Sequence, residues 1–169
     1  PDLAEAHSNL GLALQDLGKS EDAIASYRKA LALKPDYAEA HNNLGNALRE
    51  LGKPDHAVAS YHKALGLKPD LAEAHNNLGL ALQDLGKSED AIASYREALA
   101  LNPDYPEAHN NLGIALRELG HLDEAVTSYH KALALQPDYA EAYSNLGAAF
   151  QDLGKLEDAI VSYQQAVTI

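Results

Sequence analysis

Polar and apolar residues follow a helical rhythm along the chain, in stretches that stop and restart at fixed intervals. In the first stretch His7, Leu10, Leu14 and Leu17 fall at i, i+3, i+7 and i+10, one stripe of an α-helix. Ala23, Ile24, Tyr27, Ala30 and Leu31 make a second stripe. Gly18 lies between them, where a left-handed C-terminal cap would close the first helix. The spacing predicts a helix to about Leu17, then another from near Ser20 that ends before Pro35. Asp2 and Glu5 have capping-box spacing, so Asp2 is expected to cap the first helix; Asp36, Asp70, Asp104 and Asp138 are expected to cap its later counterparts. Pro54 and Pro106 sit early in their helices, where a missing N–H does no harm. A two-helix hairpin this small cannot bury both stripes alone, so it must stack on neighbours.

Those neighbours are in the sequence. Pro-Asp recurs at Pro1, Pro35, Pro69, Pro103 and Pro137, and ten of the 11 glycines fall into two registers with the same period of 34. Five units follow, at 1–34, 35–68, 69–102, 103–136 and 137–169, forming a single array over 1–169. The first and third units are identical at 31 of 34 positions, the second and fourth at 26, but the first and second at only 23. A 68-residue pair is therefore the repeated object, whether by natural duplication or by engineering. The expected fold is all-α, an α-solenoid of helix-turn-helix units.

Composition narrows the functions. The 169 residues contain no cysteine, which removes disulfides, thiolate metal sites and cysteine nucleophiles. The net charge of −12 argues against nucleic-acid binding. Residues 1–68 carry nine acids and eight bases, whereas residues 69–169 carry 16 acids and five bases. A cationic partner would feel the later residues most strongly. No apolar run is long enough to span a membrane and no leader is evident, which makes a cytoplasmic location the default expectation.

The second unit sets His41, Leu44-Gly45, Leu48, Ala57, Tyr61, Ala64 and Pro69 at the spacing of the tetratricopeptide repeat (TPR), and the other units follow. The resemblance covers the whole chain. It departs from the family where the usual Trp is His7, His41, His75, His109 and then Tyr143, and where the mid-helix Tyr is Leu14, Leu48, Leu82, Leu116 and then Phe150. These variants are similar to the superhelical repeats of O-linked N-acetylglucosamine transferases and their bacterial relatives. The resemblance implies a right-handed superhelix whose first helices line a concave, protein-binding surface.

On the first helix, Glu5, Asn9, Leu12 and Asp16 lie opposite the apolar stripe. Stacking turns each into a row. Glu5, Glu39, Glu73, Glu107 and Glu141 form one acidic rail; Asp16, Glu50, Asp84, Glu118 and Asp152 form another. Between them runs an asparagine ladder, Asn9, Asn43, Asn77, Asn111 and Asn145. An amide offers donors and an acceptor, so such a ladder can pair with the main chain of an extended peptide; the transferase repeats imply that use. The alternative is that these amides bond to an adjacent helix or to water. Leu12, Asn46, Leu80, Ile114 and Ala148 vary and would tune selectivity, with Arg49 and Arg117 set among the acids. An extended ligand carrying Lys or Arg is expected, unless the acids serve only solubility. Ser8, Asn42 and Asn76 beside the ladder would not clamp an acidic chaperone tail.

Equivalent histidines in successive units stand too far apart to share a metal ion, so they are read as filling half-buried slots. Tyr27, Tyr61, Tyr95, Tyr129 and Tyr163 read as core. No catalytic constellation, metal site or cofactor motif is found, and the chain is expected not to be an enzyme. Two other roles stay open: the substrate-recruiting region of a larger glycosyltransferase, or a module that stacks head-to-tail. The last helix, with Ile160, Val161 and Val167, would leave an apolar face open, as in a fragment of a longer protein.

Overall fold

A computed structural model describes residues 2–169. Among them are ten helices and no strand: α1 (Leu3–Asp16), α2 (Ser20–Leu33), α3 (Ala38–Glu50), α4 (Pro54–Leu67), α5 (Ala72–Asp84), α6 (Ser88–Leu101), α7 (Pro106–Glu118), α8 (Leu122–Leu135), α9 (Ala140–Asp152) and α10 (Leu156–Thr168). Two helices fall in each predicted repeat. The chain divides into two compact units, Pro1–Gly86 and Lys87–Ile169. In the first, each helix from α1 to α5 packs on the next; in the second, the same holds from α6 to α10. First helices of successive repeats also touch, α1 with α3, α3 with α5, and α7 with α9. The backbones of the second helices, α2 and α4 or α6 and α8, stand apart from each other.

Glycine closes each first helix as predicted. Gly18, Gly52, Gly86, Gly120 and Gly154 all have positive φ, between 68° and 78°. The Gly18 N–H donates to Gln15 O at 2.8 Å and the Lys19 N–H to Leu14 O at 2.9 Å, the paired bonds of a Schellman cap.

The expected aspartate caps need correction. Asp2 does cap α1, accepting from the Ala4 N–H at 3.2 Å. Asp36, Asp70, Asp104 and Asp138 do not: the residues before α3, α5, α7 and α9 are Tyr37, Leu71, Tyr105 and Tyr139, none with a side-chain cap bond. The Tyr37 N–H donates back to Lys34 O at 3.3 Å, which puts Asp36 inside a turn that follows α2. A residue in that turn lacks the extended backbone an N-cap needs. At α7, Pro106 takes the first helical position and Tyr105 precedes it.

The core is built from alanines around one tyrosine per repeat. Tyr27, Tyr61, Tyr95 and Tyr129 are fully buried. The ring of Tyr27 lies where a Cβ on Gly11 would stand, 2.5 Å from Cε1, and Gly113 meets Tyr129 at the same 2.5 Å. Gly45 meets Tyr61 and Gly147 meets Tyr163 in the same way. Glycine there makes room for the partner helix's ring. The buried serines satisfy themselves: Ser26, Ser60, Ser94, Ser128 and Ser162 each donate to the carbonyl four residues back, at 2.9–3.1 Å.

The apolar stripe of a first helix is buried only where the second helix of the preceding repeat covers it. Leu44 on α3, packed against α2, is 9% exposed; its counterpart Leu10 on α1 is 49% exposed. Leu17, expected in the same stripe, is also exposed.

Candidate functional site

The polar face of the first helices is held by bonds from each repeat to the next. In the first unit, Gln15 Nε2 and Ser20 Oγ both donate to the Glu50 carboxylate, at 2.9 and 3.2 Å. One repeat on, Arg49 Nε donates to Asp84 Oδ2 at 3.0 Å. The second unit keeps the alternation, with Ser88 donating to Glu118 at 2.9 Å and Arg117 to Asp152 at 2.6 Å. A long carboxylate meets short donors and a short carboxylate meets the long guanidinium. The Asp152 bond holds the Arg117 pKa above its ordinary value. Arg49 and Arg117 are thus ion-paired rather than loose cations among acids.

The same face decides how each core tyrosine hydroxyl is satisfied. Tyr27 donates to Gln15 Oε1 at 2.5 Å, and Tyr163 to Gln151 Oε1 at 3.3 Å. In the second repeat the equivalent of Gln15 is Arg49, which has no acceptor, and Tyr61 donates instead to Asn46 Oδ1 at 2.7 Å. The fourth repeat has Ile114 at that rung, and the Tyr129 hydroxyl is buried without a partner. Burial pushes the Tyr27 pKa up to about 12, with Glu50 and Asp16 adding to it. Burial also raises those of Tyr61 and Tyr129, against the opposing pull of Arg49 and Arg117.

The asparagine ladder has an internal task. Asn77 Nδ2 donates to Asn42 Oδ1 at 3.1 Å, and Asn42 Nδ2 donates to Glu73 Oε1 at 3.0 Å. The second unit repeats the relay: Asn145 to Asn110 at 3.0 Å, and Asn110 to Glu141 at 3.3 Å. Asn77 is only 9% exposed. Asn43 stands one repeat after Ser8 rather than after another asparagine, and makes no side-chain hydrogen bond among the described residues. Asn9 is exposed, and Asn111 is half-buried with a bonding partner of its own.

Several predicted residues converge. Leu12, Gln15, Asp16, Asn46, Arg49, Glu50 and Asn77 line one polar pocket of about 400 Å³ in the first unit. Leu80 and Ile114 are half-buried on the same stripe, and Glu107 is exposed. Glu39 pairs with Lys68 at 3.2 Å. Its carboxyl is held below the usual range, first by its own backbone N–H and then by Lys68, outweighing a small burial effect.

The sequence reading missed the other side of the molecule. Because the backbones of α2 and α4 stand apart, a groove of about 800 Å³ runs between them over α3, floored by His41, Leu44 and Leu48. A groove of about 680 Å³ lies likewise between α6 and α8 over His109, Leu112 and Leu116. Every lining position of one is 68 residues from its counterpart in the other. The floor histidines have a structural bond: Nε2–H of His41 donates to Pro35 O at 3.0 Å and that of His109 to Pro103 O at 2.9 Å. Burial pushes the His109 pKa down, more than the Pro103 bond and Asp104 raise it, and Lys131 lowers it further. Among the described residues, no group of three His, Asp or Glu could hold a metal ion, and no helix is long and apolar enough to cross a membrane.

The profile of the TPR repeat matches residues 16–52, 45–86, 84–120 and 114–154, and that of the tetratricopeptide repeat matches residues 140–169. The chain belongs to the tetratricopeptide-repeat family. Solved structures resemble it along nearly its whole length. MamA is 29% identical, with a TM-score of 0.84 over 94% of this chain and 92% of its own. YrrB, described as a TPR protein with an unusual peptide-binding site, is 26% identical, with a TM-score of 0.77 over 96% and 84%. TTC0263, a thermophilic TPR protein of Thermus thermophilus, is 26% identical, with a TM-score of 0.81 over 98% and 90%. No curated protein sequence matches the chain. The TPR assignment makes the chain a helical scaffold, and the glycine–tyrosine contacts and alternating junctions above are how this one is built.

Proposed function

We propose that this TPR chain is a protein-interaction scaffold without chemistry of its own, which holds an extended polypeptide segment against the polar face of its first helices. The observation that carries the reading is the pocket bordered by Leu12, Asn46, Arg49, Glu50 and Asn77, where an apolar rung, amides and charges meet. The relay through Asn42 to Glu73 fixes the Asn77 amide before any ligand arrives, leaving its carbonyl and second N–H for a peptide main chain. YrrB supports the reading as a similar fold described with a peptide-binding site. The acidic excess of residues 69–169 favours ligands with Lys or Arg.

The test is selection from a displayed library of random peptides, followed by titration against Asn43→Ala and Asn77→Ala variants of matched helicity. The enriched peptides should include a class rich in Lys or Arg, and that class should bind either variant about tenfold more weakly. Undiminished binding of that basic class to both variants would remove the ladder from the site. Enrichment without basic residues would remove the charge preference.

A further inference from the structure

The two grooves on the second-helix side share a frame and differ in how they are closed. In the second unit, Arg96 on α6 reaches over the groove to Glu124 on α8, Nη2–Oε2 3.1 Å. The first-unit counterparts are Arg28 and His56. With histidine in place of glutamate the strap is absent: Arg28 has no carboxylate within ion-pair distance among the described residues. No residue lining that groove is acidic, while Arg28, His56 and Lys63 stand exposed along it. Between them lie the aliphatic side chains of Leu31, Leu44, Leu48 and Leu67. The floor holds one more unmet group, Nδ1 of His41, buried and without a hydrogen-bond partner. With Nε2–H given to Pro35, that nitrogen is an acceptor.

We propose that the groove between α2 and α4 is a second docking site, for a linear segment of a partner protein that pairs an aliphatic side chain with a carboxylate. The aliphatic side chain fills the space over Leu44 and Leu48. The carboxylate meets Arg28, as Glu124 meets Arg96 in the strapped groove, so the protein's own second unit shows which group this guanidinium takes. Charge complementarity selects an acidic segment here, in a 68-residue stretch that nets only −1. Arg28 on α2 and Lys63 on α4 stand on opposite walls of the groove, which favours a peptide able to present more than one polar group over a fatty acid with a single carboxylate. A volume of about 800 Å³ is in the range of a small-ligand or short-peptide site. The inference does not rest on the reading of the first-helix face.

Two substitutions copy one groove onto the other. His56→Glu supplies the missing strap, and Glu124→His removes the existing one. Dodecapeptides selected from a random displayed library on the full chain should combine Asp or Glu with Leu, Ile or Val and bind once per chain. His56→Glu and Arg28→Gln should each weaken them by about tenfold or more, while Asn43→Ala leaves them unchanged. Glu124→His should add a second site of similar affinity. Absence of acidic-aliphatic peptides from the selection would overturn the proposal. So would peptides that survive both His56→Glu and Arg28→Gln, or sodium decanoate displacing them from the groove.

Discussion

The second and fourth repeats, residues 35–68 and 103–136, are identical at 26 of 34 positions. Both seat a tyrosine ring against a glycine, tie a histidine to a proline carbonyl and send an arginine to the next repeat's aspartate. They part where nothing in the frame depends on the residue. Asn46 satisfies Tyr61, but Ile114 leaves Tyr129 unpaired; His56 leaves a groove open, but Glu124 straps it. The lesson is that copies of one repeat keep their helix contacts while diverging in hydrogen bonding and in what their surfaces can accept.

The shared frame should respond alike in both repeats. Gly45→Ala or Gly113→Ala drives a methyl into the tyrosine ring, and each should lower stability by about 1–3 kcal/mol in urea unfolding. A large loss at one glycine and none at the other would break the equivalence. The hydroxyls should respond in opposite directions. Tyr61→Phe removes a satisfied bond and should cost about 1 kcal/mol, whereas Tyr129→Phe removes an unpaired buried group and should be neutral or stabilising by about 1 kcal/mol. Equal losses at the two tyrosines would mean that the Tyr129 hydroxyl finds an acceptor in solution. The smallest effect is a pH dependence. Burial lowers the His109 pKa in the folded chain, so the unfolded chain takes up a proton first as pH falls. The stability from keeping this ring neutral is complete above the ordinary pKa of about 6.5 and is lost as pH falls below it. His109→Gln should flatten the decline in thermal midpoint between about pH 7 and 5. An unchanged slope would show that His109 does not contribute to it.

Periodicity was enough to read the helices, the glycine caps and the buried tyrosines, because each is set by residues within one turn or one hairpin. Capping-box spacing misleads at Asp36 because that residue belongs to a turn that ends α2 before it can start α3. The ladder's bonds were harder to see. Asn77 meets Asn42, and Arg49 meets Asp84, each 35 residues away, so their partners exist only once repeats are stacked. A signal was nevertheless present: Gln15-Asp16 alternates with Arg49-Glu50 in step with the 68-residue pair. The rear grooves arise because second helices are held apart over a first helix, which the pattern of no single helix records.

The alternating junctions bear on how such a gene could change length. Gain or loss of one repeat through unequal recombination would bring Gln15 against an aspartate, or Arg49 against a glutamate, at the new seam. Exchange by two repeats would preserve every junction pairing, from Gln15 and Ser20 on Glu50 to Arg117 on Asp152. Length changes in steps of 68 residues therefore keep the side-chain chemistry between repeats in register, as codons are kept by steps of three.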